Sequence, residues 1–560
     1  MISNGAIALF ALIAFLAFGY FSLLRIITRQ YFSARSIKTA AKCLFTDTRV
    51  LANLGSSALF VSLPATSLLL FWGWAPALIW LLITHLLIDS IFHLQISAAE
   101  QISLESTALV RSKKPSHKAL ETLVVQAFYI LLTAIVLALM ATLIDRQSGL
   151  LFALVSLLPA HQVLRSGRLS GIAGSARIIG AVAVLAIGIV FAHQLGISIY
   201  GDWPPFGEFL APVTSWLVFN NQTIIAGALL IGAVQLSANQ PFEKDFATLA
   251  GLLLVSVTLA LLAQFIWLQP LLDAPLNLNT SATTEPIVQD LPSFLIVSFL
   301  AFWSLGGLLL RLTNERDGLN KQGEISARFG RLQWEGILQL LFSVVLFLSL
   351  AAAIGIGAWN THYQGSFLAQ DLTQHFTLAV SAISALFNQD GSTGTFVSTL
   401  FLVGLSITGF SFLVACTQRL GLDWSAVKGT DRKSSVAQAL VAFLVTCFFI
   451  SRGIDIEFWV ILGVLAWILI THQIVGACLA VKNLQPGSSN GLFATVMALA
   501  LVVLGSLQCI ALSVYLYLSG LWLVGLVLIA LLLIGTVLWW RGCIELVEQL
   551  RTLGQAKRIT

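Results

Sequence analysis

Residues Val50–Phe71 read VLANLGSSALFVSLPATSLLLF. The run is long and apolar enough to cross a bilayer, which takes about 20 residues. Yet Asn53, Gly55, Ser56, Ser57, Ser62 and Thr66 interrupt it, and Pro64 lies past its middle. Proline removes one backbone donor and crowds the carbonyl four residues back, so a helix here is kinked or broken. In lipid, the freed carbonyl is tolerated only where protein or a water-filled cavity satisfies it. The hydroxyls either bond back to their own helix around a simple kink or face a polar solute.

Composition sets the frame. Hydrophobic residues make up 58% of the 560 and charged residues 10%, against about 25% charged in soluble domains; the mean hydropathy is +0.92. Apolar runs of spanning length recur throughout, so the chain is expected to be an all-α polytopic membrane protein with about fifteen transmembrane helices. The spans fall at 5–24, 50–71, 74–95, 122–144, 149–164, 178–195, 215–237, 246–267, 292–310, 333–357, 395–416, 435–451, 457–480, 492–517 and 520–540. The first, Gly5–Leu24, lacks a basic n-region and a small-residue cleavage site and reads as a retained span. With the N-terminus outside, every Lys and Arg of the 30 except Arg146 and Arg452 falls on the inner side, the bias expected of cytoplasmic loops. The C-terminus is then cytoplasmic, and a cell inner (plasma) membrane is the expected location. Leu372–Leu386 is apolar but short, and counting it as a span would move Arg419, Lys428, Arg432 and Lys433 outside; it reads as a re-entrant or interfacial helix on the outer side.

Several function classes drop out. The net charge of +5 is dispersed over many loops and forms no basic patch, so no nucleic-acid partner is expected. The six cysteines form no CxxC pair and read as reduced thiols. No Walker A loop, Rossmann glycine fingerprint, HExxH or EF-hand pattern is present, which argues against ATP-driven pumping and leaves no cofactor to propose. No paired carboxylates or nucleophile–base arrangement faces one interface, so an integral-membrane enzyme acting on lipid-linked substrates ranks last.

Spans two to six begin inside and end outside, whereas spans seven to eleven begin outside and end inside. Five spans followed by five of opposite sense is the pattern of an inverted-repeat transporter, whose repeats open with helices broken near the midplane. The chain then divides into a first span and basic loop (1–49), repeat one (50–195), repeat two (215–417), accessory spans (435–540) and a cytoplasmic amphipathic tail (541–560). Span two has Pro64; span seven, SWLVFNNQTIIAGALLIGAVQL, sets Asn220, Asn221, Gln222 and Thr223 inside an apolar run. The tail, with Ile544, Val547, Leu550 and Leu553 at helical spacing, is expected to lie along the inner surface.

Ionisable residues inside spans are costly and face the bundle interior. His85, Asp89 and His93 lie at i, i+4 and i+8 in span three, one stripe roughly 12 Å long. They form either a proton relay or a structural pair with His93 at the interface. Glu335, beside Arg331, is either a coupling carboxylate or an interfacial acid paired with that arginine. His472 and Gln473 in span thirteen are expected to hydrogen-bond across helices.

These residues also carry a family resemblance. FTDTRVLANLGSSALFVSLPATSLLLFWGWAPALIWLL resembles the opening of the carbon starvation proteins, bacterial peptide and pyruvate transporters: Thr46, Asp47, Val50, Leu51, Ala58, Pro64, Gly73, Pro76 and Trp80 keep that spacing. VLRSGR (163–168), FGRLQWEG (329–336, with Gly330 and Glu335) and LITHQIVGACLA (469–480, with Gln473 and Gly476) resemble later family motifs. The family's histidine pair falls on Leu54 and Gly55, and Ala415 stands where its late aspartate would be. The resemblance implies a divergent member of a LeuT-like group. The expectation is an ion-coupled secondary transporter for a small polar metabolite, a peptide or a short carboxylate such as pyruvate. Its substrate site is expected at Ser57, Ser62, Pro64, Asn220, Asn221, Gln222 and Thr223, with coupling of H+ or Na+ through His85, Asp89 and Glu335. Membrane lipid is the remaining partner. The competing expectation is a transport-inactive homologue acting as sensor or scaffold.

Overall fold

In the computed structural model the described residues are 54–55, 58–62, 64–65, 81, 84, 115–147, 221–236, 251, 254–255, 258, 341–348, 404–417, 420, 433–454, 456–482 and 489–559. Their regular structure is entirely helical. Seven helices are named here: α1 Pro115–Gln147, α2 Asn221–Leu236, α3 Gly404–Thr417, α4 Lys433–Arg452, α5 Ile456–Lys482, α6 Ser489–Leu518 and α7 Trp522–Ile559. A short π-helical turn occupies Ala58–Ser62. Segments of α1, α5, α6 and α7 are each long and apolar enough to cross a membrane; α2, α3 and most of α4 are shorter apolar helices. The spans expected at 122–144, 435–451, 457–480 and 492–517 fall within α1, α4, α5 and α6. The other expected spans, and the pairing of two inverted repeats, rest largely on residues outside those described.

One boundary differs from the sequence reading. The span at 520–540 is the first half of α7, which continues without a break to Ile559. The stretch 541–559 holds no proline to stop it, and Leu546 is buried beyond the expected exit point. The tail is thus continuous with the helix that holds the last expected span.

Glycines end two of the helices where the sequence break was expected. Gly453 has φ 86° and donates its N–H to the Phe449 carbonyl at 2.8 Å, the left-handed cap that satisfies one orphan carbonyl of α4. The chain reverses at once: Phe449 and Phe458 meet edge-on at 4.9 Å. Between α6 and α7, Gly520 has φ 91°. Leu521 donates to Leu516 O at 2.9 Å and Gly520 to Tyr517 O at 3.3 Å, the paired bonds of a Schellman ending. Nothing lies within 4 Å of a Cβ added at Gly520, so only backbone conformation opposes one. Gly520→Ala is expected to lower stability by about 1–2 kcal/mol through the left-handed penalty alone, read as a fall in midpoint in thermal unfolding of the purified protein.

The packing has a centre and a flank. Helix α1 touches α2, α4, α5 and α7, while α5, α6 and α7 pack on one another. The apolar stretch of α5 is 82% buried and that of α1 72%, against 33% for α6; α6 and α7 thus form the outer wall. On their outward side Leu507, Val514, Leu523, Leu526, Leu533 and Trp540 are exposed, as suits contact with lipid. Within the flank, Trp467 and Trp539 meet edge-on at 4.9 Å, and Trp539 Nε1 donates to Ile468 O at 3.3 Å.

Helix α3 is short but buried at every position, which places it in the core. It meets three neighbours. Phe412 lies edge-on to Phe60 at 4.7 Å, a Cβ on Gly409 would collide with the Met140 sulfur of α1, and Thr417 donates to Ala233 O of α2 at 3.3 Å.

Candidate functional site

The described residues around Pro64 bear on both readings of Val50–Phe71. Leu54–Gly55 and Pro64–Ala65 are helical, and Ala58–Ser62 between them is a π-turn. In such a turn N–H groups reach five residues back, one residue more than in an α-helix, and the helix widens locally. The proline ring at position 64 crowds the carbonyl of Phe60, four residues earlier, and widening there relieves the clash. The expected interruption is therefore a π-turn with helix on both sides.

The turn is enclosed. Phe60, Ser62 and Ala65 are fully buried. Ser62 Oγ donates to the backbone carbonyl of Ser343 at 3.2 Å, so the hydroxyl just before Pro64 bonds to the helical stretch 341–348. A Cβ on Gly55 would stand 2.9 Å from Thr408 Oγ1 and 3.7 Å from Gly251 N; this glycine lets the start of span two approach α3 closely. The wall toward α3 is partly apolar, through Phe60 on Phe412.

Many hydroxyls on the described helices bond back to their own helix. Thr142, Thr258, Thr446, Ser506 and Ser513 all donate to the carbonyl four residues back in their own helix, as does Thr408. That is the usual arrangement for hydroxyls in membrane helices. Ser343 and Ser411 depart from it: both are buried, and neither Oγ has a hydrogen-bond partner among the described residues. Ser343 is the residue whose carbonyl receives Ser62. Ser411 sits between Thr408, which faces Gly55, and Phe412, which faces Phe60. A buried hydroxyl without a partner costs about 1–3 kcal/mol, and these two lie on the helical stretches that Ser62 and Phe60 touch.

The remaining expected site residues are placed as follows. Asn221, Gln222 and Thr223 open α2; Gln222 and Thr223 are half-buried. Helix α3 is the common neighbour of span two and α2, but it grips α2 at Ala233, about 15 Å along the helix from Thr223. Ser57, Asn220, His85, Asp89 and Glu335 lie outside the described residues, as does Leu372–Leu386. His472 does reach across helices: its Nε2 is 3.5 Å from Glu121 Oε1 of α1. The described cysteines Cys416, Cys447, Cys478, Cys509 and Cys543 are free thiols.

Sequence reading passed over Ser343, Thr408, Ser411 and Phe412. The stretch GLSITGFS (404–411) carries the only signal, three hydroxyls and two glycines crowded into an apolar run. That crowding also fits ordinary close helix packing.

Neither the models of known families nor the curated proteins match this chain.

Proposed function

We propose that this protein is a secondary active transporter of a small polar metabolite, a peptide or short carboxylate such as pyruvate, driven by H+ or Na+. It is read as a divergent relative of the carbon starvation transporters with a LeuT-like inverted repeat of about fifteen spans, in the cell inner membrane with its N-terminus outside. The observation that carries the reading is the buried π-turn before Pro64, flanked by the unmet hydroxyls of Ser343 and Ser411. Polar groups are retained inside a membrane bundle, against their cost, where a solute or ion is to be met.

One observation favours a transport-inactive sensor or scaffold instead: the face of the π-turn toward α3 is closed by Phe60 against Phe412. Uptake into proteoliposomes separates the two. With peptides and short carboxylates supplied under an imposed proton or sodium gradient, the wild-type protein is expected to accumulate at least one of them. Ser62→Ala, which loses the bond to Ser343 O without adding bulk at this buried position, is expected to cut that uptake about tenfold or more, as one lost hydrogen bond with an unmet acceptor is worth about 1–3 kcal/mol. No accumulation of any solute under either gradient supports the scaffold.

A further inference from the structure

A second group of unmet polar atoms lies away from the π-turn, on α1. Gln126 is 5% exposed and Thr133 wholly buried. Neither atom of the Gln126 amide, nor the Thr133 hydroxyl, has a hydrogen-bond partner among the described residues. Both residues fall inside the apolar spanning stretch Leu120–Thr142. Thr133 is the more telling, because Thr142 on the same helix bonds back to Ala138 O at 2.8 Å and Thr133 forgoes the same bond.

The two share a face. Seven residues make nearly two full turns, so Gln126, Thr133 and Met140 fall on one stripe, with about 10.5 Å of rise between neighbours. Met140 ends the stripe against Gly409 of α3, so the stripe points toward the bundle core and away from the outer wall of α6 and α7. The adjacent contact of Glu121 with His472 leaves α1 in a different direction: five residues turn the helix by about 140°. No charged side chain shares the Gln126 stripe within the spanning stretch.

We propose that Gln126 and Thr133, about 10.5 Å apart on this stripe of α1, each bind an uncharged guest that both donates and accepts hydrogen bonds. An amide presents two donors and an acceptor and a threonine hydroxyl one donor and two lone pairs, so the complementary guest carries both functions. A charged guest has no counter-charge on the stripe and would bear the full cost of burial. Water meets the requirement, since buried waters typically bridge unmet groups of this kind; so does a small carboxamide or hydroxyl solute. The site goes beyond the transport reading and is measured without a gradient, so the outcome at α1 is independent of any uptake result.

The test is thermal unfolding of the full-length protein in detergent, wild type against Thr133→Val, Thr133→Ser and Gln126→Met, with and without acetamide or glycerol. Thr133→Val keeps the shape and removes the hydroxyl; Thr133→Ser keeps the hydroxyl and trims a methyl. With a guest in place, Thr133→Val and Gln126→Met lower the midpoint by several degrees, and Thr133→Ser lies closer to wild type than Thr133→Val. Saturable stabilisation of wild type by acetamide or glycerol, lost in Gln126→Met, identifies the guest as a solute; destabilised variants with no solute response identify it as water. If Thr133→Val and Gln126→Met are as stable as wild type or more so, the polar groups are simply unmet and the proposal fails. Should Gln126→Met not fold, the order of the two Thr133 variants still decides it.

Discussion

Trp467→Ala is expected to lower stability by about 3–5 kcal/mol, the range for removing a buried Trp side chain. Trp467 is among the largest fully buried side chains. Its ring meets Trp539 edge-on at 4.9 Å, a geometry worth about 0.5–1.5 kcal/mol beyond burial. On its other side it presses on Gly505 of α6, where an added Cβ would overlap the indole. One side chain of α5 thus holds both α6 and α7. Between helices surrounded by lipid, association depends on packing more than on any hydrophobic drive, so a void here has no substitute. Chemical or thermal unfolding in detergent checks the value. Trp467→Phe, which keeps a ring against Trp539, is expected to lose less, and a loss below about 1 kcal/mol for alanine would show that the indole is not the wedge described.

The second large effect is at Gly525. A Cβ there would stand 2.7 Å from the Ser513 carbonyl oxygen and 3.3 Å from Tyr517 N. Both are backbone atoms of α6 and have no flexible end to move aside. Gly525→Val is expected to cost about 1–3 kcal/mol or more by forcing α6 and α7 apart, and to weaken the nearby contact of Cys509 Sγ with Leu528 O at 3.8 Å. Gly476 is the control: it lies within α5 with nothing within 4 Å of an added Cβ. Gly476→Ala is expected to raise stability by about 0.5–1 kcal/mol through helix propensity. Unfolding midpoints for Gly525→Ala and Gly476→Ala should therefore move in opposite directions. Equal shifts would place the α6–α7 contact elsewhere.

The site was only half legible in the sequence. Pro64 announced an irregularity in span two because its ring and missing N–H act locally, whatever surrounds them. It did not announce the form: a kink, an unwound gap and a π-turn all begin from the same residue. Ser62 and Ser343 lie 281 positions apart, and no local pattern couples them. The other half of the proposed site, the first turn of α2, showed as consecutive polar residues in an apolar run, because hydrocarbon offers such residues nothing to bond.

What the sequence alone determined is where α1, α4, α5 and α6 lie. An apolar run of about 20 residues must close its own hydrogen bonds in lipid, so α1, α5 and α6 were visible as lengths of hydropathy. Gly453 and Gly520 ended helices because glycine enters the left-handed region at no steric cost. Only the tertiary structure decided which hydroxyls bond back to their own helix and which stay unmet, since Thr133 and Thr142 are chemically identical and lie on one helix. It also made the short α3 the core and carried α7 straight through its expected exit. Each of these depends on what stands opposite a side chain in space, and in this chain the facing residue is seldom a neighbour in sequence.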